Sequence, residues 1–344
     1  MPKPIVAVTM GDPAGIGPEV ILKALADPAI KKSCRPLILG DWGVFERTRR
    51  GGKKYPKMLR WHQRDPLLPM LDGNGGFVVC PLSALMAAES RPGMPSRAGG
   101  HAAFRYISVA AKLALMGLAD AIATAPISKS ILMDAGYNYP GHTELLAELS
   151  RTPECRMMLV GRKLRVVPVT GHISFSKVPR ALSVKKIQTT IELVHRSLTQ
   201  FFGIEHPRIA VAALNPHGGE EGIFGDEEIK VIRPAIKTAA RKGIFVHGPF
   251  PADSLFHRAA QGDYDAVVCM YHDQGLIPLK LHHFFGGVAL TLGPRFIRTS
   301  VDHGTAYDIA GKGKAEASSM KEAILLAARL ARVNKLTQTR AWRV

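Results

Sequence analysis

Short runs of β-branched and aliphatic residues alternate with longer amphipathic stretches along almost the whole 344-residue chain. That alternation restricts the fold to the α/β class, with a largely parallel or mixed sheet. Strands are expected at 5–10, 36–40, 77–80, 121–125, 165–170, 208–214, 266–271 and 288–292. Helices are expected at 18–26, 99–117, 184–202, 226–241 and 318–335. Within 187–201, Ile187, Ile191, Val194 and Leu198 recur every three or four residues, the spacing of one buried helical face. The length suits two domains or lobes. No internal repeat, low-complexity linker or terminal tail marks a seam. Residues 47–68 are the least regular and read as a surface excursion.

Several function classes drop out on composition. No apolar run reaches the roughly 18–20 residues of a membrane span. Met1 leads directly into the strand-like 5–10 segment without the pattern of a signal peptide, so a cytoplasmic address is expected. Cys34, Cys80, Cys155 and Cys269 are far apart and form no Cys-x-x-Cys pair. They read as buried reduced thiols rather than a structural zinc site or a disulfide framework. Lys and Arg number 46 against 28 Asp and Glu, a formal charge of +18, with one basic cluster at 47–54. Such charge suits nucleic acid or an ordinary solvated surface. No recognition motif is present and no aromatics interleave the basic stretches, so the solvated surface is preferred. The same charge favours approach of a small anionic substrate. Neither nucleic acid nor membrane is expected as a partner.

In α/β sheets, ligands sit beyond the carboxyl ends of strands. Three expected strands run out into histidines there: His172, His217 and His272. Three imidazoles with an open fourth position suit a catalytic divalent metal, although each alone also reads as a surface histidine. Asp253 and Asp273 read as carboxylates supporting those ligands, or in the case of Asp253 as a helix N-cap. The segment Gly11-Asp12-Pro13-Ala14-Gly15-Ile16-Gly17-Pro18-Glu19 joins a strand to a helix. Gly15 and Gly17 allow either a simple tight turn or close approach to a ligand. It is neither a Walker loop nor Gly-x-Gly-x-x-Gly, so no Rossmann fold follows. A second glycine-rich stretch, 303–314, could wrap a nucleotide through His303 and Gly304, with Asp308 accepting from a ribose diol, or could be a plain surface loop. Pro140-Gly141-His142-Thr143-Glu144 puts an imidazole and a hydroxyl at a helix start, a position suited to anions and equally to an ordinary cap.

These segments, with Asn215-Pro216-His217, Tyr271-His272-Asp273-Gln274-Gly275 and Arg298-Thr299-Ser300-Val301-Asp302-His303-Gly304-Thr305-Ala306, resemble in order the signatures of the 4-hydroxythreonine-4-phosphate dehydrogenase (PdxA) family. The likeness runs from about residue 5 to residue 330. Gly15–Glu19 and 303–313 also resemble the wider isocitrate/isopropylmalate dehydrogenase superfamily, which binds its dinucleotide without a Rossmann fold.

The resemblance implies two α/β/α domains with a cleft between them: a discontinuous cofactor-side domain at 1–128 and 270–344, and a metal, substrate and dimerisation domain at 129–269. It implies a homodimer with shared active sites, NAD or NADP, and a divalent ion (zinc, magnesium or cobalt). Carried over position by position, the metal ligands fall on His172, His217 and His272. The substrate contacts fall on His142, Thr143, Lys280 and Arg298, and the supporting aspartates on Asp253 and Asp273. A further substrate contact, an asparagine in the family, falls on Ala289, and Pro294-Arg295 stands where the family has Leu-Pro. The implied reaction is oxidation of 4-phosphohydroxy-L-threonine to a 3-oxo acid. That acid decarboxylates to 3-amino-2-oxopropyl phosphate, with Lys280 or His142 as proton acceptor. The alternatives are the same chemistry on 4-phospho-threonate or -erythronate, or on a terephthalate-type cis-dihydrodiol. Two rival classes remain: a metal-dependent lyase or hydrolase without nucleotide, and a nucleic-acid-binding protein.

Overall fold

In the computed structural model, which describes residues 2–50, 55–73, 75–139, 141–284 and 286–341, the first strand, β1 (Ile5–Thr9), is buried at every position. Full burial on both faces is what a central parallel strand requires. Its neighbours are parallel too. β2 (Arg35–Asp41) and β5 (Ala121–Thr124) flank β1, with Ile5 opposite Arg35 and Val6 opposite Ala121. Beyond β2 lie β4 (Phe77–Ser83) and the edge strand β3 (Met58–Arg60); beyond β5 lies β12 (Ile297–Val301). These six strands belong to unit 1, Met1–Pro153 with Pro294–Arg332.

Unit 2, Glu154–Gly293 with Val333–Val344, holds a mixed sheet. Its order is β11 (Val288–Leu292), β6 (Arg156–Val160), β7 (Arg165–Pro168), β10 (Ala266–Cys269), β8 (Ile209–Ala212) and β9 (Val246–Phe250). β6 runs antiparallel to β11 and β7, and the remaining pairs are parallel. β7, β10 and β8 therefore deliver their carboxyl ends to one edge. The helix Val184–Phe202 begins with Ser183 accepting from Lys186 N–H and ends at Gly203 in the left-handed region. Ile187, Ile191, Val194 and Leu198 are all buried, as their spacing requires.

The units exchange at 153/154, 293/294 and 332/333; the first two fall later than the expected 128/129 and 269/270, and the third was not expected. Helices Lys129–Asp134 and His142–Leu149 pack on Arg97–Leu115, which holds them in unit 1. Pairing of β11 with β6 keeps 288–292 in unit 2. The stretch 47–68 is not wholly an excursion: helix Trp42–Arg49 enters it, and β3 carries a buried Met58. Of the basic cluster there, residues 51–54 lie outside the described residues. The expected helix 226–241 is interrupted, with a π-helical turn over Glu228–Ile232 before helix Arg233–Ala240. Pro234 supplies no N–H to the carbonyl four residues back, so the ladder widens ahead of it. Cys34, Cys80 and Cys269 are buried free thiols, and Cys155 is partly exposed. Among the described residues no helix is long and apolar enough to cross a membrane.

Candidate active site

In unit 2 the three histidines follow neighbouring strand ends. His172 lies four residues beyond β7 and His272 three beyond β10. The two ends are tied together where Val169 N–H donates to Cys269 O at 2.8 Å and Thr170 Oγ1 to Met270 O at 2.8 Å. The result is two imidazole rings with centroids 5.1 Å apart. Asp273 Oδ1 sits 2.7 Å from His272 Nδ1, an orienting carboxylate of the kind that fixes a ligand's tautomer. Buried Gln274 braces the same edge, donating to Ala213 O at the end of β8 and accepting from Met270 N–H.

His217 does not join that pair as placed. Its backbone lies in a left-handed turn in which every residue from His217 to Gly222 has positive φ. For an L-residue this conformation costs roughly 1–2 kcal/mol, and His217, Glu220 and Glu221 all adopt it. The turn is anchored by Glu228, whose Oε1 accepts from Leu214 N–H and Asn215 N–H at 2.8 Å each. The His217 side chain is 67% exposed, with Nδ1 3.2 Å from Glu220 Oε1. Among the described residues no group of three or more His, Cys, Asp or Glu side chains is arranged to hold a metal. The His172–His272 pair fits two positions of such a site; the third is not assembled.

The other expected unit 2 residues are spread around this edge. Asp253 is exposed in the first turn of helix Ala252–Gln261 and does not cap it; that position is Pro251. Lys280, in the last turn of helix His272–His282, has its ammonium 6.0 Å from the Phe284 ring centre. Ala289 is buried in β11 within an apolar cluster that includes Leu159, Leu276 and Leu279.

Unit 1 brings together His142 and Arg298. Arg298 on β12 is buried, and its Nε and Nη2 donate to Thr124 Oγ1 on β5 at 3.2 and 2.6 Å. Burial pulls its pKa down to about 9, opposed by the nearby Glu144 carboxylate, so the guanidinium remains cationic at neutral pH. His142 opens helix His142–Leu149, with Thr143 next to it half-buried in the same turn. The His142 ring is partly exposed, yet its Nε2 is buried without a hydrogen-bond partner. Burial, and then the positive field of Arg298, hold it well below the ordinary histidine range, so the imidazole is neutral. A buried cation beside a neutral imidazole can bind an anionic group and accept from a neighbouring hydroxyl. Pro140, the first residue of the expected motif, lies outside the described residues.

The glycine-rich segments of unit 1 pack on each other. A Cβ on Gly17 would lie 2.2 Å from Met10 O, and one on Gly15 would lie 3.0 Å from Thr305 O. Ile16 N–H donates to Thr305 O at 3.0 Å. These glycines thus serve loop packing before any ligand arrives. His303 is held by its own loop, Nδ1 3.0 Å from Gly304 O, while Gly304 and Asp308 are exposed. Two carboxylates, one in the first loop and one in the first turn of helix Gly17–Leu25, escaped the sequence reading although both lie inside the segment it singled out. Buried Asp12 accepts from Tyr307 Oη at 2.6 Å and from Ala14 N–H at 2.8 Å; burial raises its pKa. Buried Glu19 accepts from Gly313 N–H, Ala315 N–H and Lys23 Nζ. Thr124, the partner of Arg298, was also missed, since nothing in its strand distinguishes it.

Comparison with known proteins converges on one family. The model of the pyridoxal phosphate biosynthetic protein PdxA matches residues 32–327. A 4-hydroxythreonine-4-phosphate dehydrogenase from Geobacter metallireducens is 52% identical over 96% of both chains. A D-threonate 4-phosphate dehydrogenase from Cupriavidus necator is 46% identical, covering 95% of this chain and 97% of its own. The crystal structure of 4-hydroxythreonine-4-phosphate dehydrogenase from Klebsiella pneumoniae superposes with a TM-score of 0.86 at 43% identity, covering 95% of this chain and 99% of that one. The chain therefore belongs to the PdxA family of dehydrogenases.

Proposed function

We propose that this protein oxidises the secondary alcohol of 4-phosphohydroxy-L-threonine with NAD or NADP, in pyridoxal phosphate biosynthesis. The 3-oxo acid then loses carbon dioxide to give 3-amino-2-oxopropyl phosphate. The observation that carries the reading is the 52% identity, over nearly the whole chain, to a relative bearing that enzyme's name. The second reading is D-threonate 4-phosphate, supported by relatives of that name at 46% identity. The two substrates share the phosphate, the carboxylate and the hydroxyl. They differ at the amino-bearing carbon.

The chain's own groups take these parts. Arg298 grips an anionic end of the substrate, and a guanidinium can do so with two parallel hydrogen bonds. Thr143 completes that contact, and Lys280 holds the other end. His142, kept neutral, accepts a hydrogen bond or the proton from the reacting hydroxyl. Gly15, Gly17, His303, Gly304 and Asp308 frame the dinucleotide, with Asp308 on the ribose diol. A zinc, magnesium or cobalt ion on His172, His272 and His217, oriented by Asp273 and Asp253, would polarise the substrate oxygen when bound. The nearness of the His172 and His272 rings supports this reading; His217 would have to leave Glu220.

The homodimer is proposed on a further observation. Each histidine segment of unit 2 carries exposed apolar side chains: Ile173 and Phe175 after His172, Ile223 and Phe224 after His217, Ile277 and Leu281 after His272. Exposed apolar surface of that extent marks an interaction site, here with a second copy whose residues complete the active site.

The test is a panel: purified protein with NAD or NADP and a divalent ion, offered 4-phosphohydroxy-L-threonine, D-threonate 4-phosphate and a cis-dihydrodiol. Reduced nucleotide and carbon dioxide with the amino acid phosphate support the proposal. Turnover of threonate phosphate or dihydrodiol alone replaces the substrate and keeps the dehydrogenase. No nucleotide reduction with any of them rejects both.

A further inference from the structure

We propose that Lys129 is a further substrate-binding residue, a second cation that joins Arg298 in holding the anionic group received by unit 1. This rests on the reading of His142, Thr143 and Arg298 as that grip. It adds a residue that neither the motifs nor the family resemblance singled out.

β5 ends at Thr124, the hydroxyl that accepts from Arg298, and Lys129 follows five residues later. That places it beyond the carboxyl end of a parallel strand, where an α/β sheet presents its ligands. The connection is held at both ends. Asp12 N–H donates to Pro126 O at 2.9 Å, and Ser128 Oγ accepts from Ile131 N–H at 3.4 Å to begin helix Lys129–Asp134. That helix lies close against Arg97–Leu115: a Cβ on Gly100 would fall 2.9 Å from Ala135 Cβ. The base of the Lys129 side chain is therefore fixed by backbone and helix packing.

The far end of the side chain reaches the turn that carries His142. Lys129 Cε lies 3.6 Å from the point where a Cβ on Gly141 would stand. Gly141 precedes helix His142–Leu149 and gives it no side-chain cap. The first N–H groups of that helix and the positive end of its dipole are thus open to an anion. His142 Nε2, in the same turn, is buried without a hydrogen-bond partner. A cation, an uncapped helix start and an unpartnered imidazole nitrogen converge on one turn.

The charge of Lys129 is available to a ligand. The residue is exposed and makes no hydrogen bond or ion pair among the described residues. Glu144 is the acidic neighbour, with Oε2 3.4 Å from the same Gly141 position, yet the two close no ion pair. Against Arg298 and Lys129 that carboxylate leaves a positive balance, which an anionic end of the substrate answers. The two cations also divide the work. Arg298 is buried and fixed on Thr124, whereas a lysine ammonium is a mobile point charge that can follow an anion in and out.

The test is steady-state kinetics and equilibrium titration of the full-length protein with NAD and a divalent ion, using wild type, Lys129→Met, Lys129→Arg and Glu144→Gln. The ligands are 4-phosphohydroxy-L-threonine, D-threonate 4-phosphate and unphosphorylated 4-hydroxy-L-threonine. In Lys129→Met the Michaelis constant for the phosphorylated acid should rise about tenfold, the loss of one charge-assisted hydrogen bond, with a much smaller change in kcat. Lys129→Arg should recover most of the affinity. The Kd for NAD and the unfolding midpoint should not move, and Glu144→Gln should not raise the Michaelis constant. A loss confined to the phosphorylated acids supports the proposal with the ammonium on phosphate; an equal loss for 4-hydroxy-L-threonine supports it with the ammonium on carboxylate. Unchanged substrate affinity in Lys129→Met overturns this assignment and leaves the substrate reading standing. An equal rise in Glu144→Gln also overturns it, since the lysine would then act through that carboxylate. So does a weaker Kd for NAD with substrate affinity intact. Failure of the wild type to bind either phosphorylated acid overturns both.

Discussion

Arg298 and His142 have their properties set by the atoms nearest them. The Arg298 guanidinium is buried and donates twice to one hydroxyl, Thr124 Oγ1. Thr124→Val keeps the side chain's shape and removes that acceptor. The expected result is a Michaelis constant for the phosphorylated acid raised about tenfold or more, since a hydrogen bond to a charged group contributes roughly 1.5–3 kcal/mol. Steady-state kinetics with unfolding curves alongside would check it, and an unchanged Michaelis constant would refute the positioning role. His142 makes a statement about pH. Its folded pKa lies well below the 6.5 of a free imidazole because of burial and Arg298. The unfolded chain therefore binds more protons below about pH 6.5, and stability falls as pH drops through that value. His195, also depressed by burial, adds in the same sense. His142→Asn should make the loss of urea midpoint between pH 7.5 and 5.5 smaller than in the wild type. An identical loss would mean the imidazole is not held neutral. His142 was singled out from its place at a helix start and Arg298 only through the family resemblance; their tuning comes from burial and from the charges of Arg298 and Glu144, which no spacing in the sequence displays.

Strands and helices differ in how openly the sequence announces them. The helix 184–202 could be read because Ser183, a clean apolar period and Gly203 agree on its limits. β6 is Arg-Met-Met-Leu-Val, with little β-branched character, and β9 contains Gly248 and Pro249, which an edge strand tolerates but a pattern search rejects. β12 is Ile-Arg-Thr-Ser-Val, three polar residues in a row between apolar ends, a pattern that matches neither an alternating nor a wholly apolar strand. The strand ends of β7 and β10 were legible from their histidines, whereas the turn after β8 was not. Nothing in Pro-His-Gly-Gly-Glu-Glu-Gly declares a run of positive φ angles. Glycine is at ease at positive φ, so Glu220→Gly should relieve part of that strain and stabilise the protein by about 1 kcal/mol. Thermal or urea unfolding would measure it, and a destabilised variant would show the conformation to be held by Glu220 itself through His217.

At the scale of the molecule, the α/β class was plain from the alternation of segments, but the division into units was not, because no linker composition accompanies any of the three exchanges. The +18 charge likewise gave no location; the structure gathers Arg47, Arg91 and Lys312 at one cavity of unit 1. The apolar residues exposed on unit 2 lead to a prediction about assembly. Ile277→Asp with Leu281→Asp, at positions 66% and 84% exposed, should leave the fold intact and convert a dimer to a monomer with little activity. Light scattering with circular dichroism would check it; an active dimer would move the interface elsewhere. The division has one more consequence, for the chain as it is made. β12 pairs with β5 across some 170 residues, whereas all six strands of unit 2 fall within 156–292. During synthesis the sheet of unit 2 can close while that of unit 1 still waits for its sixth strand. The sheet nearest the start of the chain is thus the later to close, and until residue 301 leaves the ribosome β5 has an open edge for a chaperone to guard.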